Sequence, residues 1–292
     1  MTTHVDPSRA GSALDSTVGR IVTAVVVVAA LIGMMVGMGL FGGVSVFQAV
    51  GGWLGEDATW LSTKQLAGYI WVLIYAGFVG YAVWQLMTPT PNARHDRLRP
   101  WILTGIALNI VWLGFIEFGV LWGGVAVSLA QLAVLLRILV LMEQEPARSW
   151  CERIAVDCVQ GFYLGWLLFS VFRNGFAGLA SNGWNGGPFM PTTWAVVAIV
   201  VITVLSALLS AYDGGRLCVV LPTAWGLFWV GVGRSDGDGL QSGAVAVTAF
   251  GCAAVVLLAW AGARWLAAKS PTGEARDLIA DALDGDGQIA TR

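Results

Sequence analysis

The sequence predicts an all-α fold, a polytopic membrane bundle of eight transmembrane helices. Three observations predict it. The 292 residues are 57% hydrophobic and 12% charged, whereas a soluble domain is about 25% charged. The apolar residues gather into eight runs, each near the roughly 20 residues that cross a bilayer. The basic residues also sort by side. Of the sixteen Lys and Arg, Lys64 and Arg234 fall on one face of the membrane, Arg173 lies within a run, and the rest fall on the other face. Basic loops stay in the cytoplasm, which places both termini there and requires an even number of crossings. A net charge of −2 offers no basic surface for nucleic acid.

The runs, in order, are 21–42, 66–87, 100–117, 120–142, 158–179, 193–211, 215–233 and 242–266. Residues 1–20 are polar and read as a cytoplasmic N-terminal segment. The first run exceeds the roughly 7–15 apolar residues of a signal peptide and shows no cleavage site, so it is read as an uncleaved span. Runs three and four are nearly continuous. They are divided at Glu117–Phe118–Gly119, because their joint length is too great for one crossing, even a tilted one. The cytoplasmic connections 88–100 and 143–153 are short and charged. The outer segments 44–64 and 181–194 are rich in Gly and Trp and read as loops on the outer mouth. Residues 269–292 form a polar, acidic tail. Its DGDGQ run (284–288) resembles part of a calcium loop but lacks the third ligand and the closing Glu.

Cys151, Cys158, Cys218 and Cys252 form no C-x-x-C pair and are read as separate buried or reduced thiols. The two histidines, His4 and His95, both have polar neighbours, which argues against a His-ligated metal or haem site. No metal site is expected.

At about 100° per residue, Trp71, Tyr75, Phe78, Ala82 and Gln85 share one face of the second span. Gly77, Gly80 and Trp84 lie behind it, where a neighbouring helix can approach. The third span places Gly105, Asn109, Trp112 and Ile116 on one face. The fifth does the same with Tyr163, Trp166, Ser170, Arg173 and Asn174. A buried amide needs a partner, and an intramembrane Arg marks a functional site by default. By chain direction, Trp71, Tyr75, Trp112, Arg173 and Asn174 all fall in the outer half of the membrane. The three faces together describe a pocket for a flat apolar molecule with a polar or anionic edge.

Plainer roles stand beside this one. Trp71 can be an interfacial anchor, and Asn109 and Asn174 can be interhelical hydrogen-bond glue. Arg173 can pair with Glu117 or snorkel to the surface. Gly33-x-x-x-Gly37 suits helix pairing or a homodimer.

The ordered pieces W-V-L-I-Y-A-G (71–77), A-L-N-I-V-W (107–112) and Y-L-G-W with the later Asn (163–166 and 174) resemble the translocator protein, or tryptophan-rich sensory protein (TspO/MBR), family, in its longer bacterial branch. The likeness runs over roughly residues 20–180. It implies that residues 21–180 form a TspO-like five-helix bundle in the bacterial inner membrane, with 181–268 as three additional helices. It implies a cavity covered by the first loop that takes porphyrins, haem, sterol-like lipids or similar hydrophobic small molecules, with no covalent cofactor. Trp71, Trp166 and Asn109 match cavity positions of the family. The chain departs from the pattern in three places. The proline-rich entry to the second helix is missing, Phe162 stands where the family has proline, and Arg173 stands where it has an apolar residue.

The expected function is binding, sensing or transport of a tetrapyrrole or similar molecule. A secondary transporter using all eight helices is an alternative, but no repeat between halves supports it. A structural subunit of a membrane complex is another. Acid–base catalysis would need a positioned His, Asp or Glu, and the outer half offers only Glu117 and the loop residues Glu56, Asp57, Asp236 and Asp238. Porphyrin photodegradation enters only through the resemblance.

Overall fold

The computed structural model describes residues 7–88 and 93–269. The acidic tail with its DGDGQ run lies outside the described residues, as does His4. Among the described residues the chain is helical, without strands. The long helices are α1 (Pro7–Gly37), α2 (Ile70–Met87), α3 (Ala93–Glu117), α4 (Leu121–Gln144), α5 (Trp150–Ser181), α6 (Pro191–Tyr212), α7 (Leu217–Gly233) and α8 (Gly243–Lys269). Seven are long and apolar enough to cross a membrane; α7 is as apolar but shorter. The chain is a multi-pass membrane protein.

The boundaries follow local chemistry. The division between the third and fourth spans falls at Glu117, and Gly119 turns the chain with φ +76°, a conformation that favours glycine. The first helix ends before the run 21–42 does. It stops at Gly37, and Gly39 and Gly42 take positive φ, so the apolar residues 38–42 are turn rather than span. α2 is entered through a 3-10 stretch, Gln65–Tyr69. α5 carries a π-helical turn, Arg153–Cys158.

The first five helices form a ring whose neighbours run α1–α2–α5–α4–α3 and back to α1. α6, α7 and α8 pack on one another and dock on α5 through α7. The docking uses small residues. A Cβ on Gly165 would lie 1.9 Å from the Val219 carbonyl, so only glycine fits, and the Thr223 hydroxyl donates to the Gly165 carbonyl at 2.8 Å. Gly33 and Gly37 face Leu113 of α3, so the glycine pair of α1 serves a contact within the chain. Gly77 meets Val159 of α5, while Gly80 meets nothing within 4 Å.

One end of the bundle is knitted by charge. Arg94, 2% exposed, donates to Glu152 at 2.9 Å and Asp157 at 2.6 Å. Arg216 reaches the same Asp157 at 3.0 Å and also pairs with Glu143. At this end Cys158 and Cys218 form a disulfide with Cα atoms 5.2 Å apart. The reading of four separate thiols is thus corrected. The half-cystines are 60 residues apart and meet only because α5 and α7 pack closely. Cys151 and Cys252 are free.

Candidate functional site

The opposite end carries the first loop and the aromatic faces. Trp71 is the hub. Its ring lies 5.9 Å from Tyr75, 6.4 Å from Trp112 (near-parallel, 23°), 6.2 Å from Tyr163 and 6.2 Å from Trp166 (near-perpendicular, 85°). These are the offset and edge-on arrangements that aromatic quadrupoles favour. Behind them Phe78 meets Tyr75 at 5.6 Å and Tyr163 at 5.3 Å, edge-on. Helices α2, α3 and α5 therefore share one aromatic cluster, as the helical spacing requires.

Hydrogen bonds hold the rings at fixed angles. The Tyr75 hydroxyl donates to Asn109 Oδ1 at 2.5 Å. Asn174 Nδ2 donates to Ser128 Oγ at 3.0 Å. Gln131 Nε2 donates to the Gly105 carbonyl at 3.0 Å and to the Tyr163 hydroxyl. Asn109 and Asn174 thus do act as interhelical glue, and they do so at a cavity wall.

The main cavity has a volume of about 520 Å³, within the usual range of ligand pockets, about 300–1,000 Å³. It lies between α1, α2, α3 and the first loop, with Met34, Phe47, Trp71, Tyr75, Asn109 and Trp112 among its walls. Leu66, Tyr69 and Val72 line it and are also exposed, so it opens sideways on the apolar surface of the bundle. A second chamber of about 30 Å³ lies deeper and shares Trp71, Asn109 and Trp112 with the first. Ser128, Gln131, Trp166, Ser170, Arg173 and Asn174 are among its other walls, with Phe47 and Thr63 of the first loop.

The first loop is the roof, and two buried arginines fasten it. Arg173, 8% exposed, donates through Nη2 to the Leu54 carbonyl. Leu54 in turn packs with Ile116, Leu121 and Ala177. Arg173 therefore neither pairs with Glu117, which is exposed at the end of α3, nor snorkels; a loop carbonyl takes the place of the carboxylate. From the other side Arg234, 1% exposed, donates to the Glu56 carbonyl at 2.7 Å and the Thr59 carbonyl at 3.3 Å. Burial pulls its guanidinium below the ordinary value. Lys64 joins Asp236 at 2.5 Å and Glu56 at 3.2 Å. Asp236 holds the Lys64 ammonium above its usual value, and Lys64 holds the Asp236 carboxyl below its own. The Trp225 indole donates to the Ala67 carbonyl at 3.0 Å. The additional helices thus hold the roof directly.

A family profile described as TSPO-like protein matches residues 20–262. The chain belongs to the TSPO-like family. The match extends beyond residue 180 and through most of α8, so the three C-terminal helices are part of this TSPO-like chain's family pattern. Comparison with curated proteins and with solved structures finds no significant match.

In this TSPO-like bundle, eight of the ten residues singled out from the sequence line one chamber or both: Trp71, Tyr75, Asn109, Trp112, Trp166, Ser170, Arg173 and Asn174. Phe78 and Tyr163 do not. Both are 0% exposed and back the cluster from behind. Sequence reasoning missed Ser128 and Gln131 of α4, although two polar side chains at i and i+3 in an apolar helix were a usable signal. It also missed Met34 of α1 and Phe47 of the loop, which no polar pattern marks. Among the described residues no three His, Cys, Asp or Glu side chains gather as metal ligands.

Proposed function

We propose that this TSPO-like membrane protein binds a tetrapyrrole or a similar hydrophobic small molecule in the sideways-opening cavity, as a sensor or carrier for it. The observation that carries the reading is Trp71, which borders both chambers while touching four other rings. Flat apolar molecules stack on such surfaces, and the Tyr75–Asn109 pair supplies an orienting polar edge. The lateral mouth suits a ligand that partitions from lipid.

Titration of the detergent-purified protein with protoporphyrin should quench tryptophan fluorescence and shift the porphyrin absorption band. The double variant Trp71→Phe, Trp166→Phe should lose the absorption shift. An undiminished shift in that variant rejects the site.

The reading places the chain in the cell membrane with both termini in the cytoplasm. Cys151 is exposed at the charged end. In intact cells it should therefore react with a membrane-permeant maleimide and resist an impermeant one. Labelling by the impermeant reagent reverses the orientation.

A further inference from the structure

The deeper chamber is lined by hydrogen-bond donors with nothing to donate to. The Trp166 indole N–H, the Arg173 Nε–H and the Ser170 hydroxyl are all buried without a hydrogen-bond partner among the described residues. Trp166 is 2% exposed, Ser170 6% and Arg173 8%. Indole and guanidinium N–H groups can only donate. Among the neighbouring acceptors, Asn109 Oδ1 already receives a bond from Tyr75, Ser128 Oγ from Asn174, and the Tyr163 hydroxyl from Gln131. Among the described residues Arg173 reaches a backbone carbonyl and no carboxylate. Its charge is therefore buried without a counter-charge, which is costly until an acceptor arrives. The chamber has room for one small polar group. Because Trp71, Asn109 and Trp112 border both spaces, a molecule lying in the main cavity can extend such a group into it.

We infer that the chamber is an anion subsite, taking the carboxylate of an apolar molecule whose body lies in the main cavity. A neutral carbonyl could accept one of the free N–H groups but would leave the Arg173 charge unmatched. A carboxylate brings a counter-charge and about four lone-pair sites, enough for Arg173, Ser170 and Trp166. The inference rests on the cavity reading above and narrows it to carboxylic acids. A flat macrocyclic acid and an acyl-chain acid share this chemistry.

The test compares each acid with its ester. Protoporphyrin, its dimethyl ester, palmitate and methyl palmitate are titrated against the purified full chain, with affinity read by fluorescence quenching and by thermal shift. At least one acid should bind about tenfold or more tightly than its ester, and the acid that does so identifies the ligand body. The preference should fall to about twofold in Arg173→Gln and be kept in part in Arg173→Lys. It should also shrink in Ser170→Ala, which leaves the tie to Leu54 intact. Equal binding of acid and ester, or an undiminished preference in both Arg173→Gln and Ser170→Ala, overturns the subsite and leaves the cavity reading standing. No binding of any of the four compounds overturns both.

Discussion

Replacing Arg234 with Met should loosen the roof of the cavity without unfolding the bundle. The buried guanidinium donates to two loop carbonyls, Glu56 at 2.7 Å and Thr59 at 3.3 Å. A hydrogen bond from a charged donor contributes about 1.5–3 kcal/mol. The 3.3 Å bond belongs at or below the low end of that range, and the desolvation of the guanidinium offsets part of the sum. The contact with Asp57 at 3.5 Å adds little, because Asp57 is half exposed. The net loss is then roughly 2–4 kcal/mol of roof closure, about 30-fold to several-hundred-fold in the opening equilibrium. Met keeps much of the stem volume, so packing against α7 survives. Hydrogen exchange of the full chain in detergent reads this directly. Amides of residues 44–64 should exchange faster by that factor in Arg234→Met, while those of α3 and α4 stay as protected as before. Unchanged exchange in 44–64 would refute the assignment of Arg234 as a fastening. Faster exchange across the whole bundle would show a general stability role instead.

Tyr75→Phe removes the donor to Asn109 Oδ1 and should lower stability by about 1 kcal/mol, seen as a lower melting temperature in detergent. Breaking the Cys158–Cys218 bridge with the double variant Cys158→Ser, Cys218→Ser opens a loop of 60 residues. The chain-entropy estimate for that length is about 4 kcal/mol, and denaturant titration against the oxidised wild type measures it. Burial pushes the Asp213 carboxyl up to about 6, against the hydrogen bonds it receives from the backbone of Gly215 and Arg216. The folded state then holds a proton that the unfolded chain has released, so stability falls as pH rises from about 4 to about 6 and levels above. Asp213→Asn should flatten the pH profile in that window, measured by melting temperature across buffers.

Much of this was legible in the sequence because the bilayer imposes a simple rule on it. Long apolar runs must be helices, and a ruler of about 100° per residue then sorts faces. Tyr75, Phe78, Ala82 and Gln85 are all buried, as that ruler requires. Gln85 shares the aromatic face yet lies away from the cavity and donates to the Arg20 carbonyl; angle alone does not give depth. The end of α1 was overestimated because hydropathy does not register backbone turns, and the residues after Gly37 are apolar in spite of turning. The partners of Arg173 and Arg234 were illegible for a related reason. Both bind main-chain carbonyls of a distant loop, and every residue in the chain carries such a carbonyl. The disulfide was hidden because 60 residues separate its ends and only the α5–α7 packing joins them. The glycines that permit that packing, Gly161 and Gly165, stand four apart and could have suggested it.

The fastening of the first loop from two sides has a consequence for dissecting the chain. Cutting after α5 would leave five helices that look self-sufficient but would discard Arg234, Asp236 and Trp225 together. The covering strap would then be moored along one edge only, by Arg173, and free to swing at the other. Work on an isolated five-helix fragment would therefore describe a vessel with its hatch ajar, and ligand exchange measured there would not carry over to the intact molecule.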